Sequence, residues 1–137
     1  MAVPLLLSTE SVPPRERVGY WGDLVQRSFG RLRSQTFGDE AFRGEIRGFD
    51  LGDLRVCRLD ATRHRVERTV GASGASDAGF LKMVVQRRGC AVFEQDGRRA
   101  WLAEGAWSVY DTARPYSVSN PQGVLQHVLL LPRERTF

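Results

Sequence analysis

The chain has 137 residues, of which 42% are hydrophobic and 26% charged, which fits one globular core and excludes a collagen, a disordered tail and a membrane-spanning helix bundle. Twenty basic residues against sixteen acidic ones leave a net charge of +4. Nineteen of the bases are arginine, yet they are scattered from Arg15 to Arg135 without a stripe or a nucleic-acid-binding motif, so the charge says little about partners.

The opening run Ala2 to Leu7 is apolar, but it is short, contains Pro4 and lacks a basic leader, so it does not read as a signal peptide. From Val18 to Leu32 the residues Val18, Trp21, Val25, Phe29 and Leu32 recur at steps of three and four. This spacing predicts one amphipathic helix, spanning about residues 13–32, that packs across a sheet. Pro13 and Pro14 suit its start, and Arg27, Arg31 and Arg33 suit its C-terminal end.

Beyond Phe42 the period changes to two, and a β-barrel is expected over about residues 42–132. Ile46 to Leu51 and Leu54 to Ala61 read as strands joined at Gly52-Asp53. The small residues from Gly71 to Ser76 read as a loop, and Phe80 to Gln86 as a strand covered on both faces. Cys90 to Leu102 predicts a hairpin turning at Asp96-Gly97, with Glu94 opposite Arg99, Val92 opposite Trp101 and Phe93 opposite Ala100. Trp107 to Asp111 and Val124 to Leu131 complete about seven strands, and no βαβ unit appears. The fold class is therefore mainly β: a small antiparallel barrel or sandwich with an N-terminal amphipathic helix.

Chemistry-bearing patterns are sparse. Cys57 and Cys90 form no CxxC, and free thiols in a reducing cytoplasm are the default. Only His64 and His127 could serve a metal; no HxH pair exists, and a two-histidine, one-carboxylate site would need both with Asp111 or Glu94. Cys57, His64, Cys90 and His127 have the count of a zinc site without its spacing. His127 alternates with Leu125, Leu129 and Leu131 and reads as a core or cavity histidine, whereas His64, between two arginines, reads as a solvated edge. Trp107 and Asp111 share a face. Trp107 would line a cavity or simply pack, and Asp111 would anchor a ligand or cap the turn at Thr112-Ala113.

Arg68-Thr69, Gly89, Gln95-Asp96-Gly97-Arg98, Leu102-Ala103-Glu104-Gly105, the segment Asp111-Thr112-Ala113-Arg114-Pro115-Tyr116 and Leu131-Pro132-Arg133 together resemble the AraC-binding-like N-terminal domain of AraC/XylS-type bacterial regulators. Trp21 and Phe42-Arg43-Gly44-Glu45 match that pattern as well. Ala103-Glu104-Gly105-Ala106 departs from it at a turn. The resemblance implies a cupin-like barrel that senses a small-molecule effector and often dimerises, with DNA binding carried by a separate helix-turn-helix domain outside residues 1–137. Gln86, Trp107, Asp111, Tyr116 and His127 are the expected ligand-binding residues. No catalytic residue, metal, cofactor, membrane contact or direct nucleic-acid contact is expected; a homodimer in the cytoplasm is. The alternatives are a free-standing cupin-like cyclase or isomerase using His127 and Asp111 as acid and base, and a dimerisation module whose barrel is filled by side chains.

Overall fold

The structure is a computed structural model that describes residues 2–29, 32–37, 42–68 and 80–132. Strand β1 (Ala2–Ser8) leads through two short 3-10 turns, Thr9–Ser11 and Pro14–Glu16, into helix α1 (Arg17–Phe29). Ten further strands follow: β2 (Arg33–Thr36), β3 (Gly44–Leu51), β4 (Leu54–Ala61), β5 (His64–Arg68), β6 (Phe80–Arg88), β7 (Ala91–Gln95), β8 (Arg98–Leu102), β9 (Trp107–Asp111), β10 (Tyr116–Asn120) and β11 (Val124–Pro132). They form a six-stranded sheet in the order β1-β3-β4-β11-β6-β9 and a five-stranded sheet in the order β2-β5-β10-β7-β8.

Every described pairing is antiparallel, and the hairpin register expected around Asp96-Gly97 is present residue for residue. Asp96 and Gly97 have φ of 54° and 74°, the double positive φ that a two-residue turn needs to match the twist of its strands. The helix was expected to reach Leu32 but ends at Phe29, and Leu24 replaces the exposed Val18 in its buried stripe. Leu32 is buried all the same, just beyond the helix.

Four strands escape the periodicity reading. Strand β1 is an unbroken apolar run at a sheet edge, β2 is the wholly polar Arg-Ser-Gln-Thr, and β5 and β10 are only five residues each. Backbone pairing, rather than a hydrophobic pattern, makes them strands. The predicted loop at Gly71 to Ser76 lies outside the described residues.

Helix α1 caps one end of the space between the sheets. Trp21, Leu24, Val25 and Phe29 are buried, and the Trp21 ring meets Phe42 and His64 at centroid distances of 5.5 and 5.6 Å. Gly44 makes this approach possible, because a Cβ there would stand 2.5 Å from the indole. At the other end of the helix, Arg55 holds Asp50 through two bonds of 2.6 and 2.8 Å and donates a third of 2.8 Å to the Ser28 carbonyl. That guanidinium satisfies a carbonyl of the last helical turn and ties it to the β3–β4 hairpin. The same pairing holds the Asp50 carboxyl below its usual pKa.

Candidate functional site: the barrel interior

The alternation of each strand decides which side chains reach the interior. Strand β6 turns Lys82, Val84 and Gln86 inward, and β11 turns Val124, Gln126, Val128 and Leu130 inward. Strand β9 contributes Ser108 and Tyr110, while the five-stranded sheet contributes His64 and Val66, Phe93, Leu102, Val118 and Asn120. With Val25, Phe29 and Leu32 closing one side, Lys82, Val84, Gln126, Leu59 of β4 and the side chains of β9 and the five-stranded sheet line a narrow cavity of about 20 Å³, room for about one water.

The polar groups there are unusual for a core. Lys82 is the chain's one lysine and is 5% exposed. Its ammonium makes no ion pair or hydrogen bond among the described residues; instead it lies 4.4 Å from the Phe29 ring centre and 5.7 Å from that of Tyr110. Such cation–π contacts partly offset lost hydration. Burial nevertheless pulls the Lys82 pKa down to about 8, opposed by the nearby Cys57. Burial conversely pushes the Cys57 thiol up to about 11, so it is uncharged at neutral pH.

His64 is 2% exposed. Its Nδ1 lies 2.9 Å from the Thr62 carbonyl, which can only accept, so Nδ1 carries the proton and Nε2 keeps its lone pair. Desolvation lowers its pKa to about 4, partly countered by that bond, and the ring is neutral at pH 7.

At the opposite end three amides interlock. Gln126 Nε2 donates to Gln86 Oε1 at 3.0 Å and to Asn120 Oδ1 at 3.3 Å, which uses both its hydrogens, and Gln86 donates to the Arg88 carbonyl. The Ser108 hydroxyl is buried without a hydrogen-bond partner.

Phe29 has a second neighbour. On its far side, it lines a surface groove of about 380 Å³ between the end of α1 and the β3–β4 hairpin, together with Ser28, Arg55, Phe80 and Leu130. The Phe29 ring is therefore shared by this groove and by the cavity that holds Lys82.

The five expected ligand-binding residues are not gathered in this cavity. Gln86 is fully buried but stands behind Gln126. Tyr116 is also buried, its ring tilted against that of Tyr110 at a centroid distance of 4.8 Å and one ring removed from the cavity. Asp111 serves the turn: its Oδ1 accepts from the Ala113 amide at 2.9 Å, and its other oxygen faces Arg114.

Trp107 is 62% exposed, and His127 is exposed as well. Both expectations misjudged the strand face. The inward side of β9 carries Ser108 and Tyr110, and that of β11 carries the residues flanking His127. An outward apolar row misled the reading, since Val109, Met83, Leu129, Val56, Phe49 and Pro4 lie side by side across all six strands of that sheet. His64, expected at a solvated edge, is instead buried, because β5 pairs on both sides and turns it inward with Val66. The uniqueness of Lys82 in an arginine-rich chain was the one signal that could have found the site. Among the described residues, no group of three or more metal-ligating side chains exists, and no helix is long and apolar enough to cross a membrane.

Two antiparallel sheets enclosing a cavity, with a helix across one end, define a cupin-like barrel. Residues 21–136 match the AraC-binding-like domain family, and the chain belongs to that family. It is similar to a protein of the nit 5′ region of Bacillus sp. (strain OxB-1), 30% identical over 128 residues that cover 93% of this chain and 50% of that one. Its fold resembles that of the AraC-like transcriptional activator CuxR with a TM-score of 0.81 and 22% identity, covering 96% of this chain and 48% of CuxR. A more distant likeness is to the EutQ protein of Clostridium difficile, with a TM-score of 0.52, 11% identity and coverage of 69% and 72%. The chain thus spans about half the length of the curated relative and of CuxR.

Proposed function

We propose that these residues form the effector-sensing part of an AraC-type transcription regulator, binding a small molecule inside the barrel, while DNA is contacted by a helix-turn-helix domain outside them. The observation that carries this reading is the polarity of the interior. A barrel filled for packing alone has no use for a buried lysine without a counter-ion, a neutral histidine with a spare lone pair and an unbonded serine hydroxyl, each of which lowers stability. Retained polar groups converging on one cavity are the mark of a ligand site.

The narrowness of the cavity favours a second reading, a dimerisation module with a filled barrel. Sensing requires that the end of α1 yield to admit a ligand, and Phe29 is the side chain at that point. The outward apolar row supports self-association. It crosses the six-stranded sheet from edge to edge, flanked on that face by the ion pairs Arg47–Glu45 and Arg88–Asp60, while the opposite sheet shows pairs such as Arg99–Glu94 and Arg65–Glu67 to solvent. A second copy packed on that row gives a homodimer in the cytoplasm, where the DNA is.

Thermal-shift screening of the 137-residue chain against small acids, amines, alcohols and sugars, with the oligomer mass read by native mass spectrometry, tests both parts. Sensing predicts stabilisation by one chemical class. A response to none, by a protein that still dimerises, supports the filled barrel, and specific DNA binding by this chain alone contradicts the division of labour.

A further inference from the structure

We infer that the ligand of this cavity is a small organic monoanion, an apolar carboxylate, whose charged end pairs with Lys82 and whose tail occupies the volume closed by Phe29 and the groove beyond it. This inference rests on the sensing role proposed above and names the chemistry of its effector.

Three observations lead to it. First, the Lys82 ammonium is almost wholly buried, lies against two aromatic rings and makes no ion pair or hydrogen bond among the described residues, so the strongest interaction open to a protonated amine is unused. Nineteen other basic positions carry arginine. At this one, a compact ammonium on a flexible stem stands where a planar guanidinium would need a wider space.

Second, the surroundings select the charge and size of the guest. Among the described residues that line the cavity Lys82 is the one lysine or arginine, and the Arg55 guanidinium in the groove is engaged by Asp50 and the Ser28 carbonyl. The negative end of the α1 dipole points toward this region as well. A dianionic phosphate would therefore be poorly matched, whereas a carboxylate needs one ammonium and one or two neutral donors. Ser108, on the inward face of β9 beside Tyr110, offers an unbonded buried hydroxyl for the second oxygen.

Third, Phe29 is common to both spaces. It lines the cavity beside the ammonium and also the 380 Å³ groove, where Phe80 and Leu130 provide an apolar lining for a tail. Exchange of the Phe29 ring for a carboxylate at Lys82 would move the last residue of α1, so occupancy is coupled to the position of the helix end.

The test pairs acids with neutral isosteres. Benzoate, phenylacetate and hexanoate, and the corresponding amides, are titrated into the wild-type chain and into Lys82→Met by calorimetry. In a second readout, modification of the single lysine by an amine-reactive reagent is followed by mass spectrometry. The expected result is that at least one acid binds at least tenfold more tightly than its amide, that Lys82→Met loses this preference while remaining folded, and that the bound acid slows modification of Lys82 severalfold. Amides binding as well as acids, or an unchanged preference in Lys82→Met, would overturn the anionic anchor and leave the sensing cavity standing. If neither class binds the wild type or a Phe29→Leu variant with a wider access route, the cavity itself is refuted as a ligand site.

Discussion

The ammonium of Lys82 faces the ring of Phe29 across 4.4 Å, joining the middle of strand β6 to the last residue of helix α1. A cation is held here against an aromatic ring that also lines an outside groove.

Lys82 lowers the stability of the empty barrel. Its pKa is about 8 when folded and 10.5 when unfolded, so between these values the unfolded chain holds the extra proton. The Lys82 contribution is fullest above pH 10.5 and is lost as the pH falls to 8, by about 3 kcal/mol in all, while the raised Cys57 thiol acts in the opposite direction between pH 9 and about 11. Lys82→Met should raise the melting temperature at pH 7 and remove the rise between pH 8 and 10.5, as read from thermal melts across that range.

His64 produces the matching effect in acid. The ring is neutral in the fold down to about pH 4, whereas the unfolded chain takes up a proton near 6.5. Stability is fully present above pH 6.5 and is lost as pH falls through 4. Urea midpoints measured from pH 7 to 4 should fall steadily, and His64→Gln should flatten that slope while Asp50, whose carboxyl is held low by Arg55, still contributes at the acid end.

Much of the scaffold was legible in the sequence wherever one physical signal dominated. Trp21, Val25 and Phe29 announced a helix by their spacing, and Asp96-Gly97 fixed a hairpin because only a few residues tolerate two successive positive φ values. The site was far less legible. Period two separates two faces of β9 and β11 without saying which is inside, and Leu125, Leu129 and Leu131 form a sequence pattern as core-like as Val124, Val128 and Leu130. Burial of the second set depends on α1 and the opposite sheet, which are distant in sequence. His64 was misread for the same reason: its arginine neighbours describe only the outward face of β5.

Phe29 should control access. In Phe29→Leu the barrier between the groove and Lys82 is thinner, so an amine-reactive reagent should label Lys82 severalfold faster than in the wild type, measured by mass spectrometry at fixed pH. An unchanged rate would show that solvent reaches Lys82 by another path. Phe29→Ala should behave likewise at a cost of about 3–5 kcal/mol in stability.

The interlocked amides should resist dismantling. Gln126→Leu leaves Gln86 Oε1 and Asn120 Oδ1 without their shared donor, and the expected loss is about 2 kcal/mol or more by urea unfolding. Removing Gln86 together with Gln126 should cost less than the sum of the single changes, because one orphaned acceptor disappears with its partner.

The outer row should govern association. Leu129 lies between Met83 and Val56 in the middle of the apolar belt, and Leu129→Glu places a charge there. Native mass spectrometry should find the wild type at twice the mass of one chain and the variant at the mass of one, with the fold retained by circular dichroism.

The central claim is that a small molecule binds inside the barrel, and methyl NMR of the 137-residue chain during titration with the acids and amides named above tests it most directly. The predicted result is that the methyl signals of Val25, Leu59, Val66, Val84 and Val118, which line the cavity, move together and saturate, while those of Val109 and Leu129 on the outer sheet stay still. Shifts confined to the outer methyls, or no shifts at any concentration, would contradict it.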